Sequence, residues 1–213
     1  MKRAVIVSNG DIGNENFIKS LVKDDDFVIC ADGAANYLCS MGIYPNVWIG
    51  DYDSCTLSKE QFEQFSRKSE IIRLNSIKDA TDTEEACDYA ISHGFDFVLM
   101  LGSIGSRVDH SLANIHLLKK LAAADVDAQI VNENNIIFIA KRENIINQGD
   151  FSYVSVIPLS DKLDGVCIDG MKYPLTHAEI DKYSSIGVSN ELVEKTGRIS
   201  IGSGDALIIL SKD

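Results

Sequence analysis

The sequence of 213 residues predicts an α/β fold, a mostly parallel sheet flanked by helices, followed by an antiparallel β-sandwich. Three observations predict it. Up to about Asn132, short apolar β-rich runs alternate with stretches of helical spacing, the pattern of βαβ units. Beyond that point the apolar runs continue, but no convincing helix separates them. Tight-turn signals take the helices' place: Gln148-Gly149-Asp150, Asp164-Gly165, Asp169-Gly170 and Ser203-Gly204-Asp205. The expected domains are therefore 1–132 and 133–213.

In the first domain the expected strands are Ala4–Ser8, Phe27–Ala31, Val47–Ile49, Ile71–Leu74, Phe97–Leu101 and Ala128–Val131. Helical patterns lie between them at Asn14–Lys23, Gly33–Met41, Ser58–Ser66, Thr83–His93 and Ser111–Ala124. The last puts Leu112, Ile115, Leu118 and Leu121 on one face, with Lys119 and Lys120 outside near its C-terminal end. In the second domain Ile136–Ala140, Phe151–Ile157, Val166–Ile168, Ile199–Ile201 and Ala206–Leu210 read as strands, and Thr176–Tyr183 fits either state.

Composition removes several function classes. The formal net charge is −12, without the basic face that wrapping a nucleic acid needs. No apolar run approaches the roughly 20 residues that span a bilayer. Met1-Lys2-Arg3 before Ala4-Val5-Ile6-Val7 imitates a signal peptide, but Asn9, Gly10 and Asp11 end the run, so a first strand is expected instead. Five cysteines without CxxC spacing fit a reducing cytoplasm, and the four histidines show no zinc spacing with them.

Ligands of an open parallel sheet bind at the carboxyl ends of its strands. Four successive strands here run into loops that carry chemistry. Asp32 follows the second strand, where it can also cap the helix opening at Gly33. Gly50-Asp51-Tyr52-Asp53-Ser54 follows the third: two carboxylates one residue apart repel each other unless a cation lies between them. Lys78-Asp79-Ala80-Thr81-Asp82 follows the fourth, with Thr81 and Glu84 spaced as a capping box and Asp82 in the first helical turn. Gly102-Ser103-Ile104-Gly105-Ser106-Arg107-Val108-Asp109-His110 follows the fifth, a glycine turn whose N–H groups can face phosphate, with a guanidinium beside it. Acids, a glycine turn and Arg107 on one edge suggest metal-assisted chemistry on a phosphate ester or anhydride. No P-loop is present, and Gly10-Asp11-Ile12-Gly13 is only a loose echo of a dinucleotide fingerprint.

The set Asp32-Gly33-Ala34-Ala35-Asn36, Gly50-Asp51-Tyr52-Asp53-Ser54, Lys78-Asp79-Ala80-Thr81-Asp82, Gly105-Ser106-Arg107-Val108-Asp109-His110 and Gly187-Val188-Ser189-Asn190-Glu191 resembles the thiamine pyrophosphokinases. The resemblance implies transfer of the diphosphoryl group of ATP to the thiamine hydroxyl, with Mg2+, in a homodimer whose thiamine site is shared between subunits. On this basis Asp51, Asp53 and Asp82 would hold the metal, and Asp32, Lys78, Thr81 and Gly105 would lie near the nucleotide. Arg107 and Asp109 would serve the phosphates and the thiamine side, and Ser189 and Asn190 would contact thiamine. Some family members carry an aromatic residue shortly after that Ser-Asn pair, whereas Glu191-Leu192-Val193 has none. Two other readings compete: a phosphohydrolase that works through an aspartyl-phosphate at Asp51, and a nucleotide- or thiamine-binding module without turnover.

Overall fold

The computed structural model describes residues 1–75 and 79–213, so the expected nucleotide contact Lys78 lies outside the described residues. The chain forms two units, Met1–Glu133 and Asn134–Asp213.

The first unit holds strands β1 (Arg3–Val7), β2 (Phe27–Ala31), β3 (Val47–Gly50), β4 (Glu70–Arg73), β5 (Phe97–Leu101) and β6 (Asp127–Val131). They lie in the order β4-β3-β2-β1-β5-β6, and every neighbouring pair is parallel. Ala4–Val7 and Val98–Leu101 are buried without interruption, the mark of parallel strands covered on both faces. Helices α1 (Glu15–Leu21), α2 (Ala35–Met41), α3 (Lys59–Lys68), α4 (Asp82–Ser92) and α5 (Val108–Ala123) make the crossovers. The chain steps outward from β1 to β4, and α4 then returns it to β5 on the other side of β1. That reversal opens a crevice at the carboxyl ends of β1 and β5.

Helix starts follow their local chemistry. Asn14 caps α1 through Asn16 and Phe17, and Ser58 and Gln61 form a reciprocal capping box on α3. On α4 only half of the expected box forms. Thr81 accepts from the Glu84 N–H at 3.2 Å, but the Glu84 carboxylate turns to Lys120 Nζ at 2.9 Å, which also holds Asp88 on the same helix. Helix α5 begins three residues before the expected Ser111, and its buried face is Asn114, Leu117, Leu118 and Leu121. Leu112 is 53% exposed, so the apolar stripe read from the sequence is displaced by part of a turn.

The second unit contains β7 (Asn135–Ile139), β8 (Glu143–Asn147), β9 (Tyr153–Pro158), β10 (Lys162–Asp169), β11 (Leu175–Asp181), β12 (Thr196–Ser200) and β13 (Ala206–Ser211). One antiparallel layer runs β7-β13-β9 and the other β11-β10-β12-β8. Val154, Val156 and Ile208 of the first layer share a core with Leu163, Val166, Ile168, Ile180 and Ile199 of the second, which makes a sandwich. The ambiguous Thr176–Tyr183 is mostly the strand β11, and β8 is a strand that the apolar pattern did not announce.

The two leucines of α5 test the corrected face. Leu118→Ala should cost about 2–5 kcal/mol in urea unfolding, and Leu112→Ala less than about 0.5 kcal/mol.

Candidate active site

The carboxyl edge of the first unit's sheet encloses a cleft of about 710 Å3. Acids from three loops face it: Asp32 after β2, Asp51 and Asp53 after β3, and Asp82 at the start of α4. Thr81, Gly105, Arg107 and His110 line it as well.

Asp32 is not a cap. It is the first residue of a 3-10 turn over Asp32–Ala34, with a left-handed φ of 44°, and it is 7% exposed. Its carboxylate accepts the Tyr52 N–H at 2.9 Å, and its carbonyl accepts the indole N–H of Trp48 at 2.9 Å. Gly50 faces it with no side chain to spare: a Cβ there would lie 2.8 Å from the Asp32 Cα. Burial pushes the Asp32 carboxyl above the usual carboxylate range, and the charge of Asp82 pushes it further. Bonds from the Gly33 N–H, the Ser54 hydroxyl and the Tyr52 N–H pull the other way.

Oxygens of Asp32, Asp51 and Asp53 come within 4.8 Å of one another. This trio differs from the expected set, because Asp32 rather than Asp82 joins the Asp51–Asp53 pair. The loop is internally fastened. The Asp53 N–H donates to Asp51 Oδ1 at 3.2 Å and the Ser54 hydroxyl to Asp53 at 2.8 Å. Asn36, four residues after Asp32, binds the Ser54 carbonyl at 3.1 Å and accepts the Thr56 N–H at 2.9 Å. Three oxygen ligands on two fastened loops suit a hard divalent cation that keeps some water.

The opposite wall contains residues that the sequence reading passed over: Ser8, Asn9, Gly10 and Asp11, directly after β1. They are zipped to the loop after β5. The Ser8 N–H donates to the Leu101 carbonyl at 2.9 Å, Gly10 to Gly102 at 2.7 Å, and Asp11 to Ile104 at 3.0 Å. Below them the hydroxyls of Thr83, Ser8 and Ser103 form a buried chain with steps of 3.0 and 3.2 Å, and Asn114 donates to the Ser103 carbonyl at 2.8 Å. The strand order that brings β1 beside β5 is the missing signal. Only the loose glycine echo at Gly10–Gly13 hinted at it.

The Gly105 N–H, expected to face phosphate, donates instead to the Ser111 hydroxyl at 3.1 Å, so that donor is used within the loop. Arg107 and Asp109 form an exposed ion pair at 2.6 Å. The guanidinium holds the Asp109 carboxyl below its ordinary range. Asp109 does not line the cleft.

The second unit has its own pocket, of about 480 Å3, lined by Ile168, Tyr173, Leu175 and the 185–190 segment. Ser189 is exposed there with a left-handed φ of 55°, and its N–H donates to the Ser155 hydroxyl at 3.0 Å. Asn190 is 3% exposed. Its carboxamide accepts the Tyr173 N–H at 2.9 Å and donates to the Tyr173 carbonyl at 2.8 Å. Asn190 therefore acts as a bracket that fixes the β10–β11 turn. It presents Tyr173, 57% exposed, at the pocket.

Family models match both units: the thiamin pyrophosphokinase catalytic domain over residues 18–130 and the thiamin pyrophosphokinase vitamin B1 binding domain over residues 137–205. The thiamine pyrophosphokinase of Bacillus subtilis (strain 168) is 30% identical over the whole of both chains. Its crystal structure superposes with a TM-score of 0.90 at 26% identity, covering all of each chain. The thiamin pyrophosphokinase of Geobacillus thermodenitrificans follows with a TM-score of 0.87 at 28% identity, covering 99% of this chain and 98% of that one.

Two glycines separate strain from contact in this site. Both Gly94 and Gly102 have left-handed φ, 65° and 61°. A Cβ at Gly94 meets nothing within 4 Å, whereas one at Gly102 lies 2.4 Å from the Ser8 carbonyl. Gly94→Ala should cost about 1–2 kcal/mol in urea unfolding, and Gly102→Ala about 2–4 kcal/mol because the β1 and β5 loops must part.

Proposed function

The chain belongs to the thiamine pyrophosphokinase family, and we propose that the cleft of its first unit is where it carries out that family's reaction. It is a diphosphotransferase: the diphosphoryl group of ATP passes to the thiamine hydroxyl, giving thiamine diphosphate and AMP. The trio Asp32, Asp51 and Asp53, gathered within 4.8 Å at the edge where such sheets bind ligands, carries the assignment.

In this reading the trio holds Mg2+, and Asp82 adds its charge from the start of α4. Bound there, the metal supplies electrostatic stabilisation of the phosphate oxygens and a template for them. The protein's own part is positioning. The rigid wall of Ser8–Asp11 and the Gly102–Ser106 loop sets the depth of the phosphate site. Arg107 exchanges Asp109 for phosphate, a swap between two exposed oxyanions that costs its guanidinium little. The thiamine oxygen bonds to the β-phosphorus as the bond from that phosphorus to the α-phosphate oxygen breaks, and AMP carries the electron pair away. The hydroxyl proton passes to the carboxylates of the cleft. Such transfer depends more on placement and charge than on a strong base.

For thiamine, the second unit's pocket offers the aromatic surface that Glu191-Leu192-Val193 lacks. Tyr173 presents a ring to a ligand that is itself a cation, and Asn190 acts through Tyr173. Tyr173, Ile186, Val188 and Val193 are exposed apolar side chains in and near this pocket, and they support a homodimer with thiamine held between subunits. Five free thiols fit a reducing cytoplasmic compartment, and among the described residues no helix is long and apolar enough to cross a membrane.

Two variants test the division of labour, with AMP and thiamine diphosphate measured together. Asp51→Asn should lower turnover at least ~100-fold, and an unchanged rate would remove the metal assignment. Tyr173→Ala should raise the KM for thiamine about tenfold and leave that for ATP within about twofold, which would place the ring on the thiamine side.

A further inference from the structure

Trp48 is the chain's single tryptophan, wholly buried in β3. A buried indole N–H requires an acceptor, and here it takes the carbonyl of Asp32, a member of the acid trio. The bond belongs to a closed circuit. Trp48 donates to the Asp32 carbonyl at 2.9 Å, and the Asp32 carboxylate accepts the Tyr52 N–H at 2.9 Å. The Tyr52 hydroxyl then donates back to the Trp48 carbonyl at 3.1 Å, with the Ile72 carbonyl 3.3 Å away.

Two of the three members are strained. Asp32 and Tyr52 have φ of 44° and 68°, a conformation that costs a side-chain-bearing residue about 1–3 kcal/mol and persists only where its surroundings over-determine it. The circuit supplies that determination. Both polar ends of Asp32 are held, one by an indole and one by an amide. The left-handed turn at Tyr52 brings its ring against Trp48, 4.6 Å between centroids, and against Phe62 at 5.8 Å. Tyr52 stands between Asp51 and Asp53. The same turn therefore ties the loop after β3, with its two acids, to the loop after β2, with the third.

We propose that Trp48 and Tyr52 are positioning residues that preorganise the Asp32–Asp51–Asp53 trio for its divalent cation. This rests on the metal reading given above. Neither side chain reaches the cleft as a ligand. They act by fixing the separation of carboxylates whose mutual repulsion drives the two loops apart.

The test measures metal binding directly, by electron paramagnetic resonance of Mn2+ titrated into the full chain. α,β-Methylene-ATP is present, because its bridging carbon replaces the oxygen of the bond that the reaction breaks. Trp48→Phe keeps an aromatic ring and removes the N–H; Tyr52→Phe keeps the ring and removes the hydroxyl. Phe65→Leu is the control. It disturbs the same aromatic cluster, 6.0 Å from Trp48, without touching the circuit. Each of the first two should weaken Mn2+ binding about fivefold, the scale of one neutral hydrogen bond, and raise the Mg2+ needed for half-maximal activity equally. The KM for thiamine should stay within about twofold. Phe65→Leu should lower Tm but leave Mn2+ affinity within about twofold. Unchanged Mn2+ affinity in Trp48→Phe and Tyr52→Phe, or an equal loss in Phe65→Leu, overturns the positioning role alone. A wild-type chain that binds no Mn2+ overturns the metal reading and this inference with it.

Discussion

Three carboxylates within 4.8 Å of one another repel. At that range each pair costs roughly 1 to 4 kcal/mol, between the limits of bulk water and a protein surface. Much of the first unit can be understood as opposing that repulsion. Gly50 lacks a side chain because a Cβ would strike Asp32. Asp32 and Tyr52 occupy left-handed backbone because only there do they bind each other. Asn36 fastens the loop beyond Asp53 from the helix that follows Asp32. The opposite wall needs glycines for a related reason, since two loops that exchange backbone hydrogen bonds at 2.7–3.0 Å leave no room for side chains between them.

The two units divide the chemistry between different materials. The first cleft is lined by backbone, hydroxyls and carboxylates on a buried parallel sheet, whose fixed dipoles need little reorganisation when charge moves. The second pocket is built mainly of apolar residues with one aromatic ring, held by an amide bracket. Asn190 illustrates why a motif residue need not touch a ligand. Its spacing beside Ser189 suggests a contact, but its carboxamide is buried against the Tyr173 backbone.

How much was legible in the sequence follows from how each element is stabilised. Strands β1, β2, β3 and β5 were plain because burial on both faces demands continuous apolar runs. Strand β8 was hidden because its alternation is inverted: Asn144 is buried and bonded to Lys141 and Ile199, while Ile145 is 51% exposed. Strand β11 buries only Ile180, has irregular register with β10, and contains His177 at φ 47°. Helix α5 misled by an exposed leucine near its start. In the site, the acids that follow strands were readable one loop at a time. The Ser8–Asp11 wall was not, because its place depends on β1 lying beside β5, a fact of strand order that no local pattern encodes. The substitution of Asp32 for Asp82 in the trio has the same origin: which loops meet is decided by the sheet.

The charge of the cleft carries one further consequence. Asp11, Asp32, Asp51, Asp53 and Asp82 face it, against Arg107 among the described lining residues. The whole chain adds a net charge of −12. A polyphosphate approaching that field bare would be repelled over at least the Debye length of about 8 Å at physiological salt. A cationic ligand would be drawn in. The two substrates thus meet opposite fields, and the nucleotide can enter only with part of its charge already offset. The acid trio accordingly does more than neutralise its own repulsion. It selects the metal-complexed nucleotide over the free one, and a single arginine suffices because the cation brings the rest of the positive charge.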